Sequence, residues 1–225
     1  MTLSVLVATL GRPTLERALA SITSQTLPGD QVIVIGATQD IGDRAARAGC
    51  TFVQAPPGRN WGGSERAAGM PHATGEYVCF LDDDDVWEPG ARAAIEGAML
   101  ANPGHPIIFK MHVAATGGTL WTEPVLKMGN VGTPMLLLPN TESLRSGVWD
   151  HKYGNDFRFL ESVGVTQDDV VWDPFVVATV RPIGSNAVFE NNKIHATHAY
   201  VANLIPEAIP APSRSDHDWR WGRRR

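Results

Sequence analysis

Four consecutive aspartates, Asp82 to Asp85, directly follow the apolar run Tyr77–Leu81. Such a run predicts a buried strand, and ligands of an open parallel sheet bind beyond the carboxyl ends of its strands. Crowded carboxylates repel one another without a cation, and hard oxygen ligands suit Mg²⁺ or Mn²⁺. The segment therefore indicates a divalent-metal site that can bridge substrate phosphates. A solvated acidic turn, or acids favoured by a helix dipole, are the plainer alternatives.

Alternating strands and helices are predicted around this segment through residue 101. The strands are Leu3–Ala8, Gln31–Ile35, Thr51–Gln54 and Tyr77–Leu81. The helices are one that carries Leu15, Ala18, Leu19 and Ile22, then Asp40–Ala48, Ser64–Ala73 and Pro89–Ala101. This succession of strand and helix is typical of a largely parallel sheet.

The pattern changes after Pro106. A Gly117-Gly118 turn between apolar runs predicts an antiparallel hairpin. The predicted elements are strands at Ile107–Val113, Thr119–Trp121, Met135–Leu138, Val170–Trp172 and Val176–Val180, and a helix at Asp156–Val163. We therefore expect an α/β fold in which helices flank a mixed, mainly parallel central sheet, with a smaller antiparallel second half.

Composition restricts the setting of the protein. Of 225 residues only two are cysteines, which is too few for a disulfide framework and favours the cytoplasm. The early apolar run Leu3–Leu10 has no basic residue before it and is too short to span a bilayer, so it predicts neither a signal peptide nor a membrane helix.

The charge is distributed unevenly. The chain has a net charge of −5, yet residues 214–225 hold five of its 19 basic residues and only two of its 24 acidic ones. The acidic body argues against broad nucleic-acid binding. The basic tail follows a Pro-rich linker that begins near residue 206, and it could contact an anionic surface weakly or be a solvated terminus.

A family resemblance covers residues 3–90. The run Ala73-Thr-Gly-Glu-Tyr-Val-Cys-Phe-Leu-Asp-Asp-Asp-Asp85 is similar to the segment of family 2 glycosyltransferases of the GT-A fold that leads through their Asp-x-Asp motif. Their typical pattern is A-x-G-[EDK]-Y-[IV]-x-F-L-D-x-D-D. The resemblance implies that Asp84 and Asp82 hold a metal ion, and that Asp82 and Asp83 orient the donor ribose or water around the ion.

Two further segments resemble the same family. Gly63–Gly69 is similar to its G-x-x-x-A-R-N-x-G helix, although Ala68 stands in place of the asparagine. This similarity makes Arg66 a candidate contact for a donor phosphate or base. Leu3–Pro13 resembles the first strand and nucleotide loop, which implies donor contacts by Thr9, Gly11 and Arg12.

One departure concerns the donor base. The second strand of the family commonly ends in V-V-D-D-G-S-x-D, whereas this chain has Val34-Ile-Gly-Ala-Thr-Gln-Asp40. The acid that usually reads uracil is therefore missing. Backbone groups around Thr9 and Gly36 are expected to hold the base, and UDP, GDP and dTDP sugars all remain candidate donors.

The second half resembles the family more loosely. Gly154–Phe159 is similar to its G-E-D-x-x-F segment, with Asn155 in place of the first acid, and this similarity makes Asp156 the candidate general base. The alternative is that Asp156 caps the following helix. Other acids that could serve as the base are Asp168, Asp169 and Asp150.

Histidines and tryptophans give weaker indications. Because His195 and His198 are three residues apart, they could share a helix face, and the resemblance makes His198 a candidate metal ligand; a surface or core role is the alternative. Trp61 could stack on a sugar or base. For Trp121, Trp149 and Trp172 we expect packing in the core or in an acceptor groove.

These observations predict a glycosyltransferase that uses Mn²⁺ or Mg²⁺ and inverts the sugar in a single displacement. Residues 1–101 would bind the nucleotide sugar and residues 102–205 the acceptor, which could be a glycan, protein, lipid or nucleic acid. A nucleotidyltransferase is an alternative, although its usual G-x-G-x-R loop is replaced here by Thr9-Leu-Gly-Arg-Pro. A non-catalytic nucleotide-sugar-binding module is another.

Overall fold

A computed structural model describes residues 1–56, 61–150, 152 and 154–181. The strands are β1 (Leu3–Ala8), β2 (Gln31–Gly36), β3 (Thr51–Gln54), β4 (Tyr77–Asp82), β5 (Val86–Trp87), β6 (Ile107–Val113), β7 (Gly118–Leu120), β8 (Leu136–Pro139) and β9 (Val171–Val180). The helices are α1 (Leu15–Thr23), α2 (Gln39–Arg47), α3 (Gly63–Gly69), α4 (Ala91–Ala101), α5 (Glu142–Arg145) and α6 (Asn155–Ser162).

One mixed sheet joins both predicted halves. Within the described residues its order is β3-β2-β1-β4-β8-β6-β9-β5, and β7 pairs with β6 as the predicted hairpin. Strands β1 to β4 pair in parallel, whereas β8 pairs antiparallel with both β4 and β6. The predicted fold is therefore confirmed. The boundary between the halves at residue 101 stays a prediction.

The strands bury side chains on both faces of the sheet. Alternate residues of β1 point to opposite sides: Val5 and Val7 join a core with α1, α2 and α4, while Leu6 joins a second core with α6. This arrangement explains why the central strands β1, β2 and β4 are mostly apolar and not alternating. No helix among the described residues is long and apolar enough to cross a membrane. The location in the cytoplasm stays a prediction.

Two strands differ from the predictions. The runs predicted at 170–172 and 176–180 form the single strand β9, which continues through Pro174. The register of β9 against β6 shifts between Ile108 and Lys110 and again between Lys110 and Met111, and such irregularities accommodate a proline. The short strand β5 is not predicted from the sequence, and it pairs antiparallel with the end of β9.

Candidate active site

The site begins where β1, β2 and β4 end. Ala8 of β1 lies opposite Asp82 of β4, so the loop after β1 and the aspartates after β4 emerge side by side. Gly36 ends β2 on the other flank of β1. The parallel topology therefore gathers the three segments that carry most of the predicted site residues.

Asp82–Asp85 form what we call the acidic turn. The Asp85 N–H donates to the Asp82 carbonyl at 3.1 Å, which closes the turn. Carboxylate oxygens of Asp82, Asp84 and Asp85 all lie within 4.8 Å of one another. Asp82 and Asp84 were predicted from the resemblance as metal ligands, and Asp85 is an additional member of the cluster. Burial and the neighbouring charges of Asp84 and Asp82 raise the pKa of Asp85 well above its usual value.

Asp83 points away from this cluster, into the loop after β1. Its buried carboxylate accepts hydrogen bonds from the Thr9 hydroxyl at 2.6 Å and the Leu10 N–H at 3.1 Å, and it also pairs with the Arg12 guanidinium. Burial raises the pKa of Asp83, while the positive charge of Arg12 opposes that shift. Asp83 thus holds the loop from inside, and its predicted contact with the donor stays a prediction.

The loop after β1 is fixed from two sides. Besides pairing with Asp83, the buried Arg12 guanidinium lies 3.4 Å from Asp84 Oδ1. From the other side, Arg44 of α2 donates to the carbonyl oxygens of Gly11 at 2.8 Å and Arg12 at 2.6 Å. The Gly11 N–H donates to the Thr9 hydroxyl oxygen at 2.8 Å. The candidate donor loop is therefore held in place by these contacts.

Gly36 occupies the place where the family commonly has an acid. A Cβ at this position would lie 2.7 Å from Ile41 Cδ1 and 3.2 Å from Thr9 Cγ2. No side chain fits there without displacing Ile41, so close packing accounts for the glycine. The missing acid is consequently not replaced at this position.

Arg66 of α3 is almost fully buried. Its guanidinium pairs with Asp82 and donates to the Trp61 carbonyl oxygen at 2.8 Å. It also lies 5.1 Å from the centroid of the Trp149 ring, a cation–π distance. Arg66 thereby orients Asp82, and its predicted contact with a donor phosphate or base stays a prediction.

Asp156 lies on the first turn of α6. The residue that caps this helix is Gly154, so the alternative interpretation of Asp156 as the N-cap is wrong. Its carboxylate accepts a hydrogen bond from the Thr133 hydroxyl. Burial raises the pKa of Asp156, although the charge of Arg66 and the Thr133 hydrogen bond act in the opposite direction. A carboxylate with a raised pKa is suited to accept a proton.

Asp156 lines the same cleft as Asp82 and Asp85 of the acidic turn. Together with the open space at its mouth, the cleft has a volume of about 790 Å³. It is lined by Trp61, Arg66, Asp82, Asp85, Met111, Gly132, Thr133, Pro134, Gly154, Asn155, Asp156, Val180 and Arg181. Trp61 is 43% exposed, so its ring is accessible for stacking on a ligand. The cleft can therefore place a ligand between the acidic cluster and a candidate base.

The other predicted residues lie elsewhere. Asp150 lies 3.6 Å from the Arg158 guanidinium, and Asp169 accepts hydrogen bonds from the backbone N–H and hydroxyl of Thr166. Neither lines the cleft. Trp121 packs edge-on against Trp172 with ring centroids 5.3 Å apart. His195 and His198 lie outside the described residues, as do the linker and the basic tail.

The chemistry of the cluster fits a divalent ion. Asp82, Asp84 and Asp85 offer only oxygen atoms, which Mg²⁺ and Mn²⁺ prefer. Burial, and then the charges of Asp84 and Asp82, disfavour the ionised form of Asp85 and raise its pKa, and a nearby cation would favour the ionised form. The cluster could hold such an ion.

A mixed α/β sheet with an acidic turn at the carboxyl ends of its parallel strands is the arrangement in which α/β folds bind ligands. The family model described as "Glycosyl transferase family 2" matches residues 4–125, which is more than half of the chain, and the protein belongs to this family. The predicted enzyme class is thereby confirmed. None of the curated proteins matches the sequence.

Solved structures of glycosyltransferases share the fold. They include S. aureus TarS 1–349 in complex with UDP (14% identity, TM-score 0.66, 94% of this chain and 67% of that one). The mannosyltransferase PcManGT from Pyrobaculum calidifontis, in complex with GDP-Man and Mn²⁺, is 21% identical with a TM-score of 0.60, and the match covers 93% of this chain and 65% of that one. Glucosyl-3-phosphoglycerate synthase from Mycobacterium tuberculosis, in complex with Mn²⁺, UDP and glucosyl-3-phosphoglycerate, is 20% identical with a TM-score of 0.59, and the match covers 93% of this chain and 81% of that one. The chain spans only 39% of another TarS structure.

Proposed function

We propose that this chain transfers a glycosyl group from a nucleoside-diphosphate sugar to an acceptor hydroxyl, with inversion at the anomeric carbon and with help from Mn²⁺ or Mg²⁺. One observation carries the proposal: Asp156 lines one cleft with Asp82 and Asp85, which belong to the carboxylate cluster at the carboxyl ends of the strands. A donor between them would have its diphosphate at the turn and its sugar towards Asp156.

Asp82, Asp84 and Asp85 would hold the metal ion, with Asp84 as the principal ligand. Bound there, the ion would neutralise negative charge on the departing diphosphate. Arg66 orients Asp82 through their ion pair, and Arg12 lies beside Asp84. The proposed contact of His198 with the metal rests on the family resemblance alone.

Asp156 would act as the general base. It takes the proton of the acceptor hydroxyl while that oxygen attacks the anomeric carbon. The bond from this carbon to the diphosphate oxygen breaks as the new bond forms on the opposite face, which inverts the configuration. The Thr133 hydroxyl holds the Asp156 carboxylate in the cleft through their hydrogen bond.

Donor recognition would depend on the loop Thr9–Arg12, Gly36 and Arg66. Since Gly36 carries no acid, we expect discrimination between nucleotide bases below roughly a thousandfold, because larger ratios require a dedicated polar partner. UDP, GDP and dTDP sugars are all proposed donors. The related structures support UDP and GDP sugars, since TarS was solved with UDP-GlcNAc and PcManGT with GDP-Man.

A screen of nucleotide sugars with and without Mn²⁺ tests the function. The correct donor should raise the melting temperature only with the ion and should release nucleoside diphosphate when acceptor is added. Asp84→Asn should abolish the Mn²⁺-dependent shift and keep the fold. Asp156→Asn should keep donor binding and lower transfer roughly 10²-fold or more. Wild-type donor and Mn²⁺ affinity in Asp84→Asn, or most of the transfer rate in Asp156→Asn, would contradict these roles.

A further inference from the structure

Arg181 connects the end of β9 to the acidic turn. Its backbone N–H donates to Asp85 Oδ1 at 3.0 Å, although 96 residues separate the two. Its φ is 50°, a left-handed conformation that non-glycine residues rarely adopt and that surrounding contacts must stabilise. The side chain of Arg181 lines the cleft. The backbone of this residue is therefore fixed at the site, and its side chain faces the ligand space.

Positive charges flank both oxygens of Asp84. The Arg181 Nε lies 3.7 Å from Asp84 Oδ2, and an Arg12 terminal nitrogen lies 3.4 Å from Asp84 Oδ1. The two arginines are held differently. Arg12 is 6% exposed and forms a closer ion pair with Asp83, whereas the Arg181 side chain is 18% exposed at the cleft wall. Of these two arginines, Arg181 has the more exposed side chain and the longer distance to Asp84.

A divalent ion would need the same carboxylate oxygens. Asp84 belongs to the cluster whose oxygen atoms lie within 4.8 Å of one another, so an ion there would lie close to the position of the Arg181 guanidinium. Two positive groups at that separation repel each other. Binding of the ion therefore favours departure of the guanidinium from Asp84.

We infer that Arg181 is the counterion of the acidic turn in the metal-free protein and that it exchanges with the divalent ion when the ion binds. The inference rests on the metal site of the proposed function. Arg181 is thus a positioning residue that competes with the ion. Once displaced from Asp84, its guanidinium remains in the cleft and adds positive charge near the donor diphosphate. Removing that charge should consequently affect metal and nucleotide in opposite directions.

The experiment compares wild type, Arg181→Gln, Arg181→Lys and Arg145→Gln in the full chain. Arg181→Gln keeps the backbone N–H that bonds Asp85 and removes only the side-chain charge. Arg145 is the matched control, because its exposed side chain on α5 donates to Asn140 and does not line the cleft. Mn²⁺ binding without nucleotide is followed by the electron paramagnetic resonance signal of free Mn²⁺. UDP and GDP binding at saturating Mn²⁺ is followed by calorimetry.

Arg181→Gln should bind Mn²⁺ roughly fivefold more tightly than wild type and should bind the nucleoside diphosphate roughly fivefold more weakly, the scale of one partly exposed ion pair. The metal-free variant should melt roughly 2–4 °C lower. Arg181→Lys should bring both affinities and the melting temperature most of the way back to the wild-type values. Arg145→Gln should match wild type in all three.

Two outcomes would overturn the inference in distinguishable ways. If wild type binds Mn²⁺ and Arg181→Gln binds it equally or more weakly, Arg181 does not compete with the ion, and the proposed metal site is unaffected. If neither protein binds Mn²⁺, with or without UDP or GDP, the metal-dependent function is wrong and the inference fails with it.

Discussion

Replacing Asp83 by alanine should destabilise the protein more than its place in a run of acids would suggest. The Asp83 side chain is 1% exposed and pairs with a buried arginine, Arg12. It also accepts hydrogen bonds from the Thr9 hydroxyl and the Leu10 N–H. Asp83→Ala would leave a buried positive charge and two donors without this acceptor. The loss should appear as lower stability of the whole fold, because the loop links β1 to α1.

The magnitude follows from the ion pair. Removing one partner of a buried pair costs about 3–5 kcal/mol, and the hydrogen bonds of the same carboxylate are not added because such terms overlap. For a chain of this length about 1 kcal/mol shifts the melting temperature by roughly 2–4 °C. Asp83→Ala should therefore melt about 6–20 °C lower than wild type.

Urea unfolding followed by tryptophan fluorescence gives the free energy directly. Asp43→Ala is the control, because Asp43 is exposed on α2 and should change stability by less than about 0.5 kcal/mol. Adding Arg12→Met to Asp83→Ala should recover part of the loss, since the buried positive charge of Arg12 is then removed as well. A loss below about 1 kcal/mol in Asp83→Ala, with an unchanged urea slope, would refute the reasoning.

Three other results are expected. Thr133→Val removes a hydrogen bond that lowers the pKa of Asp156, so the acidic limb of the kcat/KM profile should move to higher pH; an unmoved limb would argue against Asp156 as the base. Gly75→Ala places a Cβ 2.5 Å from the backbone nitrogen of Ser4 in β1 and should cost about 1–3 kcal/mol in urea unfolding, whereas an unchanged midpoint would mean that the strand shifts freely. Burial raises the pKa of Cys50 to about 11, so disulfide reagents should label it slowly at pH 8 and faster as pH rises; complete labelling within seconds at pH 8 would contradict this.

The sheet was predictable where local pattern decides it. β1 to β4 are apolar runs bounded by helix signals, and their predicted bounds match the structure to within a residue. β5 has only two residues, Val86 and Trp87, and its strand pairing depends on β9, which lies some 90 residues later. From the sequence, the proline inside β9 predicts that the strand is interrupted. Only the structure shows that the strand continues, through irregular pairing with β6.

The site was predictable as a region and less so as individual contacts. Four identical side chains in succession give no signal for which of them converge, because the direction of each depends on the turn closed by Asp85 and Asp82. The structure separates Asp83, which holds the loop, from Asp85, which joins the cluster. Arg181 had no sequence signal, since it follows an ordinary strand and reaches the acidic turn only through tertiary pairing.

The acidic turn joins two strands that lie far apart in the sheet order. It follows β4 in the middle of the sheet and leads into β5, which is held at the edge by β9. The ribosome synthesises the aspartates long before it reaches Val171–Val180. About 90 further residues must therefore be added before strand β9 can pair beside the acidic turn. The nascent chain therefore carries the acidic turn before Arg181 is made, and chains that end before β9 should lack the hydrogen bond from the Arg181 N–H to Asp85.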